Sequence, residues 1–172
     1  MENKSSWAID PTHSDVTFKI RHMMISTVSG QFEEFSGKIE AENDDFTGAN
    51  IHFSAKIDSI TTKNEDRDNH LKSDDFFNAE KYPELTFQST SYDGSKLVGN
   101  LTIRDVTKEV TLNTDFNGVV TDPYGQTKAG FEITGKINRK DFNLTWSAVT
   151  EAGKIVVSDE VKLVIDAQFT KQ

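Results

Sequence analysis

The 172-residue chain contains no cysteine. That absence excludes disulfides, thiolate metal sites and cysteine nucleophiles together. It also lacks a long apolar run. A secretory signal needs a roughly 7–15-residue apolar core and a membrane helix about 20 such residues; the start, Met1-Glu2-Asn3-Lys4-Ser5-Ser6, leads into neither. The expectation is a soluble, cytoplasmic protein without stable membrane insertion, with an exported form whose signal has been removed left open. Positive charge is scarce as well: 19 Lys and Arg stand against 28 Asp and Glu, a net charge of −9. Such a surface repels phosphate backbones, so no nucleic-acid partner is expected.

Catalytic signatures are missing too. There is no Gly-x-Ser-x-Gly elbow, no phosphate loop and no dinucleotide fingerprint. The carboxylate pairs Asp44-Asp45 and Asp74-Asp75 sit in loop-like, solvated contexts. His13, His22, His52 and His70 lie on separate elements without metal-ligand spacing. No catalytic residue, metal site or cofactor follows, and the chain does not read as an enzyme.

What is present is a period of two. Val16, Phe18, Ile20 and His22 alternate with polar residues, as do Ile51, Phe53, Ala55 and Ile57. Leu97, Leu101 and Ile103 share parity. So do Val110, Leu112 and Phe116; Ala129, Phe131, Ile133 and Ile137; and Val161 through Phe169. Side chains alternate faces along a strand, so each run offers one apolar and one polar face. With the segments near 30–41 and 84–92 the total is about eight strands. Asp93-Gly94 and Asp122-Pro123-Tyr124-Gly125 supply turns. The simplest closure is an all-β, eight-stranded antiparallel up-and-down barrel, which leaves no exposed sheet edge. Residues 1–6 read as a loose tail and 7–172 as one barrel domain.

One stretch breaks the rhythm. Thr62-Lys63-Asn64-Glu65 has the form of a capping box, so a short helical insertion is expected around residues 63–73. After it comes an irregular segment that carries Phe76 and Phe77 and is placed to cover one barrel mouth. Phe32-Glu33-Glu34-Phe35 looks like a bulge. An eight-stranded barrel is either filled by its own side chains or holds one small ligand, and parity leaves both open. The candidate lining is Phe18, Ile20, Phe32, Phe53, Phe87, Leu101, Phe116, Phe131 and Trp146. His22 shares the inward parity of Phe18, either as a satisfied core histidine or as a headgroup contact. Arg67, Asp68 and His70 cannot share one helix face; bonding to neighbouring backbone or gating of the mouth are the two readings.

Several blocks resemble the YceI-like family: Trp7-Ala8-Ile9-Asp10-Pro11-Thr12-His13-Ser14 with Val16-x-Phe18-x-Ile20-x-His22; Gly30-x-Phe32; Arg67-Asp68-x-His70-Leu71-Lys72 leading to Phe76-Phe77 and Tyr82-Pro83; Gly99-x-Leu101-Thr102-Ile103; and Asn138-Arg139-Lys140-Asp141-Phe142 through Trp146 to Asp159-Glu160-Val161. The resemblance spans residues 7–170. It implies a lipocalin-like barrel that carries an elongated apolar ligand, a polyisoprenoid or quinone-like lipid, with no further cofactor and with homodimers known among members. A filled barrel serving protein interaction, and an enzyme on an isoprenoid headgroup, stand as alternatives. Asp105 and Asn143 occupy positions where the family pattern suggests turn glycines, and Lys154 and Ser158 interrupt another glycine-rich segment.

Overall fold

The computed structural model describes residues 4–22, 25–43, 45–144 and 157–172. The strands are β1 (Ser5–Ile9), β2 (Asp15–His22), β3 (Ser26–Phe32), β4 (Phe35–Ala41), β5 (Asn50–Lys56), β6 (Ile60–Thr61), β7 (Glu84–Tyr92), β8 (Lys96–Ile103), β9 (Val106–Thr121), β10 (Thr127–Asn138) and β11 (Val157–Lys171); the helix α1 (Glu65–Lys72) follows β6. Eleven segments nevertheless build eight staves. β11 pairs with β2 through Ile165↔Val16 and further along with β1 through Phe169↔Ile9, so β1 and β2 are one broken stave. β3 and β4 make the second stave, pairing with the first through Phe32↔Val16 and Ile39↔Trp7. β5 and β6 make the third, through Ile51↔Ile39 and Ile60↔Phe32. From there β7 to β11 run as a meander, and β11 returns to the first stave. The result is a closed, eight-stranded, antiparallel up-and-down barrel.

The three breaks have local causes. Pro11 has no N–H to give a ladder, and the Asp10 carboxylate accepts the Thr12 N–H at 3.0 Å, turning the chain into a short 3-10 helix. The expected bulge at Glu33-Glu34 separates β3 from β4; bonding resumes through Glu33 N–H to Ser59 O and Lys56 N–H to Glu34 O. Ile57–Ser59 forms the third break as a single 3-10 turn with Ile57 buried.

Three expectations are corrected. Ser5 and Ser6, assigned to a loose tail, already pair with Ala41 and Glu40 in β1. The helix is capped by Asn64, whose side chain accepts the Arg67 N–H at 3.0 Å. Thr62 is not the cap, because its N–H and hydroxyl both donate to the Asp68 carboxylate, at 2.8 and 2.6 Å. In the β8–β9 turn the left-handed residue is Arg104 (φ 55°), one position before Asp105. Asn143 does take the left-handed conformation, at φ 60°, the role asparagine fills next best after glycine.

Candidate ligand cavity

The barrel interior is hollow. A cavity of about 370 Å³ runs inside it, within the size range of small-molecule sites. Phe18, Ile20 and His22 of β2, Phe32 of β3, Phe53 of β5, Phe87 of β7 and Leu101 of β8 all line it, as their parity requires. Two glycines let the rings lie flat against the wall. Gly30 pairs with Phe18 across β2–β3, and a Cβ there would overlap the Phe18 ring. A Cβ at Gly99 would likewise overlap the ring of Phe87. With any larger residue at Gly30 the Phe18 ring would have to move, and at Gly99 the backbone would have to shift as well, because the Gln88 carbonyl oxygen lies 2.6 Å from that Cβ.

Phe116 and Phe131 do not line the cavity, a correction to their expected role. They stack on each other at 5.1 Å and close one end of the barrel. Both meet the ring of Phe46, each at 5.2 Å, and Phe46 also packs edge-on against Trp7 at 5.1 Å. Phe131 then backs Phe169, which is part of the cavity floor. Phe46 comes from the loop between β4 and β5 and is only 2% exposed. Sequence reasoning passed it over because it belongs to no alternating run. Trp146 lies outside the described residues, as does Lys154.

The opposite end is the mouth, where the charged lining residues gather among apolar ones. Thr62, Arg67 and His70 come from the α1 region, Arg21 and His22 from the end of β2, and Arg139 from the turn after β10. Every charged residue lining the cavity is basic; among the described residues no carboxylate lines it. Arg67 donates from Nε to Thr62 Oγ1 and from Nη2 to Thr62 O, both at 2.7 Å. Arg67 and Asp68 therefore grip the same residue, which agrees with the backbone-bonding reading of this cluster. The His70 ring contacts Asp75 at 2.8 Å and Phe76 edge-on at 5.1 Å. Leu71, Phe76 and Phe77 line the cavity at this end, so the segment expected to cover a mouth does so.

Arg139 is the polar residue the alternating pattern could not locate. It is 2% exposed, and donates from Nε to Ser158 O at 2.9 Å and from Nη1 to Leu144 O at 2.6 Å. Burial pulls its pKa below the ordinary guanidinium value, partly offset by Asp159, whose Oδ1 stands 3.7 Å from Nη2. Its only sequence sign was its place in the block Asn138–Phe142.

The remaining histidines stay outside. His52 is exposed and meets Gln88 at 3.2 Å. His13 contacts Asp10 at 2.9 Å, and Lys128 Nζ joins the same Asp10 oxygen at 3.0 Å. The Thr12 hydroxyl, His13 and Lys128 together hold the Asp10 carboxyl well below the usual carboxylate range. Among the described residues no group of three or more His, Asp or Glu side chains is placed to hold a metal ion, and no helix is long and apolar enough to cross a membrane.

Residues 7–169 match the YceI-like domain. A UPF0312 protein of Staphylococcus aureus is 37% identical over 167 residues, covering 96% of this chain and 98% of its own. Among solved structures, the YCEI protein of Campylobacter jejuni is 37% identical, with a TM-score of 0.74 over 95% of this chain and 96% of its own. BcnA of Burkholderia cenocepacia superposes with a TM-score of 0.77 at 21% identity, over 93% and 98% of the two chains. A polyisoprenoid-binding domain from Saccharophagus degradans, implicated in plant cell wall breakdown, has a TM-score of 0.74 at 14% identity, over 96% and 98%. The last two share the fold.

Proposed function

The chain belongs to the YceI-like family, and from that premise we propose that it is a carrier that holds one elongated apolar lipid, of polyisoprenoid or quinone type, inside its barrel with the polar head at the mouth. The observation that carries this reading is the cavity itself: apolar along its length, closed by aromatic rings at one end and with its charged residues gathered at the other. Polyisoprenoid binding by the S. degradans domain, which has the same fold, supports the choice of ligand class. Burial of hydrocarbon supplies about 0.8 kcal/mol per methylene. A dozen buried carbons thus gain on the order of 10 kcal/mol before several are lost to association. The polar lining is sparse and concentrated in one place, which suits orienting a headgroup rather than catalysing its conversion.

Organic extraction of the protein purified from cells, followed by mass spectrometry, tests the proposal. A near-stoichiometric isoprenoid or quinone is the expected result. Protein that carries no lipid and also takes up no added isoprenoid would overturn it. Within this reading, the His22 ring faces the cavity beside the mouth cations. Substituting His22→Phe is expected to weaken retention of a lipid with a polar head several-fold while leaving a plain hydrocarbon unaffected. Unchanged retention of both would remove His22 from the headgroup site.

A further inference from the structure

The outer wall of the barrel carries its charge in rows. At directly opposed positions on four neighbouring strands stand Asp115 of β9, Glu132 of β10, Asp166 of β11 and Asp15 of β2. Four residues further along three of these strands, Lys136, Lys162 and Lys19 form a second row. Thr134, Val164 and Thr17 lie midway, short and uncharged. All seven charged residues are exposed. Among the described residues Lys136 reaches Glu160, at 3.8 Å, whereas the other six make neither an ion pair nor a side-chain hydrogen bond. Like charges set directly opposite across strands are destabilising, so both rows cost the isolated barrel stability.

The rows mirror each other about the uncharged line. Glu132 and Lys136 flank Thr134 by two residues each, Asp166 and Lys162 flank Val164, and Asp15 and Lys19 flank Thr17. Such a face is complementary to itself. A two-fold axis lying in the plane of contact along that line turns a second copy so that its strands run the opposite way. Its lysine row then covers the acidic row of the first, and its acidic row covers the lysines. A cationic ligand or a basic protein would answer only the carboxylates and leave the lysines against one another. Among the described residues, moreover, no group of three carboxylates or histidines is placed to hold a metal ion.

We propose that the outer face of β10, β11 and β2 docks a second copy of this chain, Glu132 against its Lys136, Asp166 against its Lys162 and Asp15 against its Lys19. Two-fold symmetry forms each of these pairs twice. Strands about 4.8 Å apart give a narrow patch on a convex wall, which belongs with the weak, transient interfaces below about 1,200 Å². The dimer is therefore reversible and salt-sensitive, since exposed pairs are screened. None of these charged residues lines the cavity, so the inference stands independently of the carrier reading.

Sedimentation velocity of the full chain at high protein concentration tests this. A reversible dimer in low salt is expected, weakened at least ten-fold when salt rises from roughly 50 to 500 mM. Lys19→Glu with Lys162→Glu sets acid against acid and should weaken the low-salt dimer at least ten-fold; Lys162→Glu alone should do so a few-fold. The decisive variant exchanges the signs within each strand: Asp15→Lys, Lys19→Asp, Glu132→Lys, Lys136→Glu, Lys162→Asp and Asp166→Lys, with net charge unchanged. That chain should pair with itself as the unaltered protein does, yet form no mixed dimer with it, read by energy transfer between labelled copies. Circular dichroism checks that these surface variants keep the fold. The proposal is overturned by an unaltered or a sign-exchanged chain that stays monomeric in low salt. It is equally overturned by a dimer indifferent to Lys19→Glu with Lys162→Glu, or by mixed dimers that form as readily as matched ones.

Discussion

The two ends of this barrel close by opposite physical means. At the far end, rings of Trp7, Phe46, Phe116 and Phe131 interlock with centroids 5.1–5.2 Å apart; the closure is dispersion and apolar burial. At the mouth, Arg67 and Arg139 are held by carbonyl and hydroxyl oxygens, and the apolar covering comes from one short helix and the segment after it. Leu71 is the sole aliphatic residue of α1, and none of the helix is fully buried, so little apolar area fastens it down. Elements fixed by few apolar contacts are the ones that open locally. Stability is therefore concentrated where the cavity ends, and access where its charged residues gather.

The sharpest way to break this comparison is to remove one ring from each region. Phe46→Ala should cost about 3–5 kcal/mol in urea unfolding, the usual range for a packed phenylalanine. Phe18→Ala faces the void and loses fewer neighbours, so about 1–2 kcal/mol is expected. Equal costs would mean that the plug is no better packed than the wall. Phe46→Gly sharpens the point: glycine accepts the positive φ, so it should recover roughly 1 kcal/mol relative to alanine. At the mouth, Arg139→Met strips the carbonyls of Leu144 and Ser158 of their donor. An expected loss of about 2–3 kcal/mol follows from leaving buried acceptors unmade, and a stability change near zero would show that water replaces the guanidinium. Gly30→Ala comes next, at about 1–2 kcal/mol for overpacking against Phe18. Its larger effect should be on lipid uptake, because the displaced ring occupies the cavity.

How much of this was visible in the sequence follows from what a period of two can say. Alternation fixes the face on which a side chain sits, and Phe18, Phe32, Phe53, Phe87 and Leu101 do stand on the inner wall where it puts them. It says nothing of height along the barrel axis. Parity therefore puts Phe116 and Phe131 with the others, although they sit on the inner face below the floor. Height depends on which loop folds back into the barrel end, and Phe46 does so from a stretch of Asn, Asp, Thr and Gly with no period at all. The interruptions of the first three staves were legible only in part. Glu33-Glu34 announced itself between two phenylalanines, whereas the register that joins β1 to β2 through β11 is a long-range property. Thr62 illustrates a third limit. Its spacing to Glu65 fits a cap, but a carboxylate on the helix itself, Asp68, competes for the same hydroxyl and wins.

The smallest expected effect concerns the outside of the closed end, where the first stave breaks. Asp10 caps the 3-10 turn, accepts from the Thr12 hydroxyl at 2.7 Å and is paired with Lys128 at 3.0 Å. Those partners depress its pKa in the folded protein, so the folded state favours the carboxylate relative to the unfolded chain. Stability from this source is complete above the unfolded aspartate value, about 3.9, and is lost as pH falls below it toward the folded value. In Asp10→Asn that contribution is absent at every pH, while the turn-capping oxygen is retained. Denaturation midpoints of the two proteins should thus differ at pH 6, and the gap should shrink steadily as pH falls below the unfolded pKa toward the folded one. A gap that persists undiminished into acid would assign the difference to lost hydrogen-bond geometry rather than to charge. A gap absent at pH 6 would mean that the break between β1 and β2 is held by Pro11 and the Asp10 N–H to Gln168 bond alone.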